Sequence, residues 1–271
     1  MNEEVRRRLG GVDTSTPSLA RMHDYFLGGK DNFAADREAA EALLAIAPEI
    51  RTMAREQQAA HRRVVRYLAG EEGVDQFVDI ATALPTRDHT QKVAREVRPG
   101  VRTAYVDRDP IVLTHARAIL AADPDVAVVE GDILHPGELL ADPGLRRVID
   151  LDRPVGVLIR GVLQYIPDSD DPFKCVARLR DGLPRGSFVG ISHVVFDERP
   201  DVADPIVDIY RKILKREEDA SRKRADVLRF FDGMELVEPG LVYSREWRPE
   251  SPYFRERPSK AWATWGVARV V

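Results

Sequence analysis

The chain of 271 residues contains a single cysteine, Cys175. One thiol excludes an intrachain disulfide framework and a cysteine-based zinc site, and a reducing cytoplasm is its simplest setting. Long apolar runs are missing as well. No stretch approaches the ~18 apolar residues of a transmembrane helix, and no apolar segment of the secretory kind follows the charges of residues 1–9. Neither sign of charge dominates. Lys and Arg total 41 against 45 Asp and Glu, a formal net charge of -4, so no strong basic field marks nucleic acid as an obligatory partner. No arginine stripe with interleaved aromatics offers a nucleic-acid surface either. The six histidines lack HxxxH or HExxH spacing, so no metal is expected. The GxSxG elbow of hydrolases is absent too.

What is there suits one large α/β domain with an added helical region. The 44% hydrophobic content supports an ordinary packed core. Residues 1–16 read as a flexible arm. Residues 17–70 follow a helical pattern, with predicted helices near 18–27, 36–47 and 49–69, and Gly28-Gly29 stopping the first. From 71 to 271 the chain alternates. Strands are predicted at 76–80, 102–106, 126–129, 155–160, 187–192, 241–246 and 262–270. Helices are predicted at 90–97, 110–122, 138–140, 172–183, 202–218 and 223–230. Such alternation argues for a mostly parallel sheet with helices on both faces. The last two predicted strands would form an antiparallel hairpin at one sheet edge, joined by a proline-rich connection over 248–260.

Three acidic residues fall at successive strand ends, where ligands of open α/β sheets bind. Asp79 closes the first strand in Phe77-Val-Asp-Ile-Ala-Thr-Ala-Leu-Pro-Thr86. Asp107 closes the second, where a carboxylate accepts both ribose hydroxyls of an adenosine cofactor. Asp132 follows the third, placed for an adenine amino group. A lone Asp after a strand is more often a helix N-cap; three in successive units form a pattern. The turn after Asp79 has no G-x-G-x-x-G, so a pyrophosphate cradle is not expected. A nucleoside with a sulfonium-bearing amino-acid tail demands less of that turn, which favours S-adenosylmethionine over a dinucleotide.

Pro17-Ser-Leu-Ala-Arg-Met-His-Asp-Tyr-Phe-Leu-Gly-Gly-Lys-Asp-Asn-Phe-Ala-Ala-Asp-Arg37 resembles the signature of a family of S-adenosylmethionine-dependent methyltransferases first catalogued as a domain of unknown function. Tyr105-Val-Asp-Arg-Asp-Pro110, Gln164-Tyr-Ile-Pro-Asp168, Ile191-Ser-His193 and Phe231-Asp-Gly-Met-Glu-Leu-Val-Glu-Pro-Gly240 match it too. The resemblance covers nearly the whole chain from Pro17. It implies a class I methyltransferase fold, with a seven-stranded sheet whose last strand is antiparallel. It further implies that Tyr25, Gly28, Gly29, Lys30 and Asn32 fold over the cofactor as a lid, with Lys30 reaching the methionyl carboxylate. Ala81, Thr82, Ala83, Arg108, Ile133, Arg160 and Gly161 complete the expected cofactor contacts. Arg160 has a second reading, as the partner of a pocket carboxylate.

The chain also departs from that family. The resemblance implies glycine where Ala81 and Ala83 stand, Asn-Arg where Gln57-Gln58 stands, and a different sequence around Arg87-Asp-His-Thr-Gln91. Alanine with positive φ costs ~1–2 kcal/mol per residue; with negative φ the cost is far smaller. Three readings remain: a methyltransferase acting on a small-molecule acceptor, the same fold with impaired cofactor binding acting as a regulatory protein, and an α/β enzyme using another nucleotide. Tyr165 and His193 are the candidate general bases, needed only if the acceptor arrives protonated. Tyr253, Phe254, Trp262 and Trp265 are candidates to line the acceptor pocket.

Overall fold

Helix α1 (Leu19–Leu27) turns Met22 and Phe26 to the same buried side and ends where Gly28 takes φ +83°. Only glycine adopts that conformation freely, and its N–H bonds back to Tyr25 O. Helices α2 (Ala34–Ile46) and α3 (Ile50–Gly70) complete an N-terminal cap. These elements come from a computed structural model, which describes residues 13–85, 88–251 and 262–271. Most of the predicted arm, the turn residue Thr86, and Tyr253 and Phe254 lie outside the described residues.

Beyond the cap the chain alternates: β1 (Gln76–Ile80), α4 (Thr90–Arg95), β2 (Arg102–Asp107), α5 (Pro110–Leu120), β3 (Val126–Glu130), α6 (Pro136–Ala141), α7 (Pro143–Val148), β4 (Gly156–Arg160), α8 (Pro172–Asp181), β5 (Phe188–Val194), α9 (Pro200–Leu214), α10 (Arg224–Leu228), β6 (Met234–Leu236), β7 (Val242–Tyr243) and β8 (Ala263–Val270). The sheet order is β3-β2-β1-β4-β5-β8-β6, with β7 also pairing β8. Strands β1 to β5 pair in parallel, and β8 runs antiparallel to β5, β6 and β7. Strand β1 is buried throughout, as a central parallel strand covered on both faces must be.

The two predicted C-terminal strands do pair antiparallel, as β7 with β8, but their expected place at the sheet edge is corrected. Strand β8 is internal, between β5 and β6, and β7 spans two residues before a short turn over Ser244–Glu246. Strand β6 escaped the sequence reading because three residues are too few to show a period of two. The single short helix predicted at 138–140 is two helices. Asp142 caps the second by accepting from Leu145 N at 3.0 Å, and Pro143 opens it.

Two apolar layers sandwich the sheet. Val78, Val106, Ile159 and Ile191 pack with α6, α7 and α8 on one face. Phe77, Leu158, Trp265 and Val267 pack with the second half of α3 on the other. The first half of α3 belongs to a third cluster, where Met53 joins Met22, Phe26, Leu43, Ile206 and Trp262. One helix thus ties the cap to the sheet.

Candidate active site

The strand order reverses between β1 and β4, and ligands of such sheets bind at the carboxyl ends beside that reversal. A cavity of about 460 Å³ opens there, within the ordinary range of ligand pockets. Asp107, Arg108, Asp132 and Ile133 form one side, and the turn at Ala81 and Ala83 forms the floor. The other side is aromatic and apolar, with Phe26, Met53, Tyr165, Phe196, Tyr210 and Trp262. The start of α1, from Pro17 to Ala20, closes one wall. Ser18 Oγ pins it by donating to Asp109 at 2.8 Å.

Asp107 accepts from the backbone N–H groups of Arg108 at 2.8 Å and Asp109 at 2.9 Å through one oxygen. Its other oxygen receives Ala83 N at a long 3.3 Å and keeps capacity for another donor. Burial raises its pKa, and these N–H groups partly oppose the rise. Asp132 accepts from Leu134 N and from Arg108 Nη1, both at 3.0 Å.

Asp79 is placed differently from the sequence expectation. It is fully buried and does not line the cavity. Its carboxylate lies 3.1 Å from Arg160 Nε and accepts from Thr90 Oγ1 at 2.5 Å. Arg160 in turn donates to the carbonyl oxygen of Thr82. Asp79 therefore anchors the guanidinium that holds the β1 turn, and Arg160 takes its second predicted role, as a carboxylate partner. Thr82 joins through its carbonyl and is absent from the cavity wall.

The signature residues after α1 also lie off the cavity. Gly28, Gly29, Lys30 and Asn32 belong to a loop wound around Asp24, which accepts from Asp31 N at 2.9 Å and Asn32 Nδ2 at 2.8 Å. A Cβ at Gly29 would fall 1.9 Å from the Asp24 carboxylate, so the loop admits no side chain there. Lys30 is exposed. Tyr25 donates to Glu41 under the Arg51 guanidinium. The wall over the cavity is instead made by residues just before this loop, including Met22 and His23.

Among the described residues no cluster suited to a metal occurs, and no helix is long and apolar enough to cross a membrane.

A family model described as S-adenosyl methyltransferase matches residues 6–271. The chain belongs to the S-adenosyl methyltransferase family. A Streptomyces avermitilis MA-4680 protein of the DUF574 family is 35% identical, with 96% of this chain and 99% of that one covered and a TM-score of 0.89. A candidate methyltransferase from Thermobifida fusca YX is 38% identical, with 96% and 97% covered and a TM-score of 0.88. No functionally curated protein matches. The fold is that of class I methyltransferases, and S-adenosylmethionine is the cofactor of the family.

The methyltransferase cavity suits that cofactor. Asp107 has an incompletely used oxygen on the wall. Gly161, φ +59°, leaves open space that a Cβ would enter, bounded by Gln164 and Ser192 on the same wall. Against this, Ala81 and Ala83 sit at φ +56° and +58°. The favourable case, a negative φ at both, is thus excluded, and each alanine carries left-handed strain on the cavity floor. Replacing both with glycine removes that strain, offset in part by glycine's larger unfolded-state entropy. Ala81→Gly/Ala83→Gly is expected to gain about 1–2 kcal/mol, an upward shift of several degrees in Tm for a chain of this size. Thermal unfolding of the two proteins checks it; an unchanged or lowered Tm refutes the strain.

The methyltransferase's two sequence-predicted bases separate. Tyr165 lines the cavity. It is hydrogen-bonded to Tyr210 and Gln164, and burial pushes its pKa up. His193 is fully buried off the cavity, its Nδ1 2.6 Å from Val194 O and its ring beside Phe230. Burial lowers its pKa to about 3. It alternates with Ser192, which does face the cavity, so His193 is not placed to take a proton there. Two further histidines, His23 and His61, line the cavity. The burial of His23 against the wall and the nearby Arg160 charge lower its pKa to about 4. The departures Gln57 and Gln58 also fall on the wall.

Proposed function

We propose that the chain methylates a small, largely apolar molecule held in the aromatic half of the cavity. The observation that carries this reading is one cavity, continuous from the Asp107 and Asp132 side to the side of Tyr165, Tyr210 and Trp262. Asp107 takes the ribose hydroxyls, Asp132 the adenine amino group, and Ile133 packs on the base. The floor at Ala81 and Ala83, together with Gly161, faces the amino-acid portion. S-adenosylmethionine supplies the methyl group and its own leaving group, so the protein's part is alignment and exclusion of water. A largely apolar cavity with this lining favours a small molecule over a nucleic acid as acceptor.

Titration calorimetry with S-adenosylmethionine and S-adenosylhomocysteine tests the reading. Binding of both is expected, and no heat at millimolar ligand would sink it. Asp107→Ala should weaken S-adenosylhomocysteine roughly 100-fold, from the loss of two charge-assisted hydrogen bonds at about 1.5 kcal/mol each. Unchanged affinity would remove Asp107 from the ribose site.

A further inference from the structure

Helix α3 brings His61 to the cavity wall with 1% of its surface exposed. Its Nε2 lies 3.0 Å from Thr90 Oγ1. Thr90 Oγ1 has one hydrogen and donates it to Asp79. A hydroxyl whose hydrogen is used can only accept. His61 therefore carries its hydrogen on Nε2, and Nδ1 is a bare acceptor. Nδ1 has no partner.

Trp265 of β8 stands beside it, ring centroids 6.4 Å apart and planes tilted by 33°. It too is on the cavity wall and 1% exposed. Its Nε1–H is a donor and nothing else, and it also lacks a partner. Orphaned buried polar groups are rare in folded proteins. Here an unused acceptor and an unused donor belong to neighbouring rings of one wall.

A group that donates and accepts at once satisfies both. A hydroxyl does so. An ether has no hydrogen for Nδ1, a carboxylate presents lone pairs to a lone pair, and a hydrocarbon leaves both unpaired. Phe26, Met53, Phe196, Tyr210 and Trp262 supply flat, apolar surroundings. Arg160, the neighbouring cation, is paired with Asp79 and donates to Thr82 O.

We infer that His61 and Trp265 hold the hydroxyl of a neutral phenol-like acceptor, and that His61 Nδ1 takes its proton as the oxygen is methylated. This rests on the methyl-transfer reading above. A lone pair of the acceptor oxygen forms the new C–O bond. The C–S bond breaks with its electrons left on sulfur. The O–H electrons stay on oxygen while the proton moves to Nδ1. The products are a methyl ether, S-adenosylhomocysteine and an imidazolium that later passes its proton to water. Burial and the charges of Arg160 and His89 keep the free imidazole neutral, with its pKa well below the ordinary value. Weak basicity suffices, because an oxygen bonding an incoming methyl becomes strongly acidic. Asp79, through Thr90, faces the Nε2 side and favours the charge that forms.

The test is titration of phenol, anisole and toluene, run with and without S-adenosylhomocysteine. Binding of S-adenosylhomocysteine is measured separately, so its failure is distinguishable from failure of the hydroxyl site. Phenol is expected to bind roughly ten-fold tighter than anisole or toluene, the worth of a modest buried hydrogen bond. Trp265→Phe, which removes little more than the N–H edge, and His61→Leu should each abolish most of that preference. Phenol no tighter than toluene overturns the inference, as does an undiminished preference in folded Trp265→Phe. Nitrogen NMR of the histidine-labelled protein gives a second readout. Nδ1 of His61 should be unprotonated and should shift when phenol is added; a protonated or unresponsive Nδ1 also overturns it.

Discussion

Arg160→Met is expected to lose about 3–5 kcal/mol of stability, because it leaves the Asp79 carboxylate buried without its cation. Asp79 has no exposed surface, and the Arg160 side chain is 19% exposed. The same change releases the carbonyl of Thr82, so the strained floor between Ala81 and Ala83 loses its brace. Affinity for S-adenosylhomocysteine should therefore fall with stability. Chemical denaturation measures the first and calorimetry the second. Arg160→Met/Asp79→Asn separates the causes. It removes the stranded charge while an amide oxygen can still accept from Thr90, so most of the stability should return. The brace on Thr82 stays lost, so affinity should not return. A double variant as unstable as the single one would show that the ion pair is not the origin of the loss.

Asp36→Ala should cost a similar amount, about 3–5 kcal/mol, but in one part of the molecule. The carboxylate is fully buried. It accepts from Ser18 N at 2.8 Å, Phe33 N at 2.8 Å and Arg21 Nε at 2.7 Å. Arg21, 1% exposed, would be left as an unpaired cation. The three bonds converge on the first turn of α1 and the start of α2, so the cap should open before the sheet does. Hydrogen exchange should rise across residues 16–46 while the amides of β1, β4 and β5 keep their protection. Uniform loss of protection would show that cap and sheet unfold as one unit. Pro17 to Ala20 wall the cavity, so the open cap should also weaken S-adenosylhomocysteine.

The parallel core was legible because its signals are periodic: apolar runs closed by an acid, separated by helical stretches. Asp107 and Asp132 stand on the cavity wall, as the strand-end rule expects. Asp79 obeys the same sequence rule yet faces inward, because its partner Arg160 arrives 81 positions later in the chain and no local pattern reveals the pairing. The backbone at Ala81 and Ala83 was illegible for another reason. Residue type sets the cost of positive φ, but the turn decides whether φ is positive. The family resemblance implies a loop from Gly28 to Asn32 that contacts the cofactor; its geometry answers instead to Asp24, four residues before Gly28. At β5 one residue decides the face: Ser192 reaches the cavity and the candidate base His193 does not. His61 lies within a long charged helix, and its neighbours Thr90 and Trp265 are both distant in sequence.

Strand β8 follows β5 and β6 in the chain yet lies between them. Until it docks, β5 shows an open edge and β6 has no neighbour, the kind of bare edge that invites pairing with other chains. The same strand and the residue before it supply Trp265 and Trp262 to the cavity. This part of the cavity wall therefore comes into being in the step that seals the sheet. A chain stalled before that step has an exposed strand edge and a cavity wall without its tryptophans.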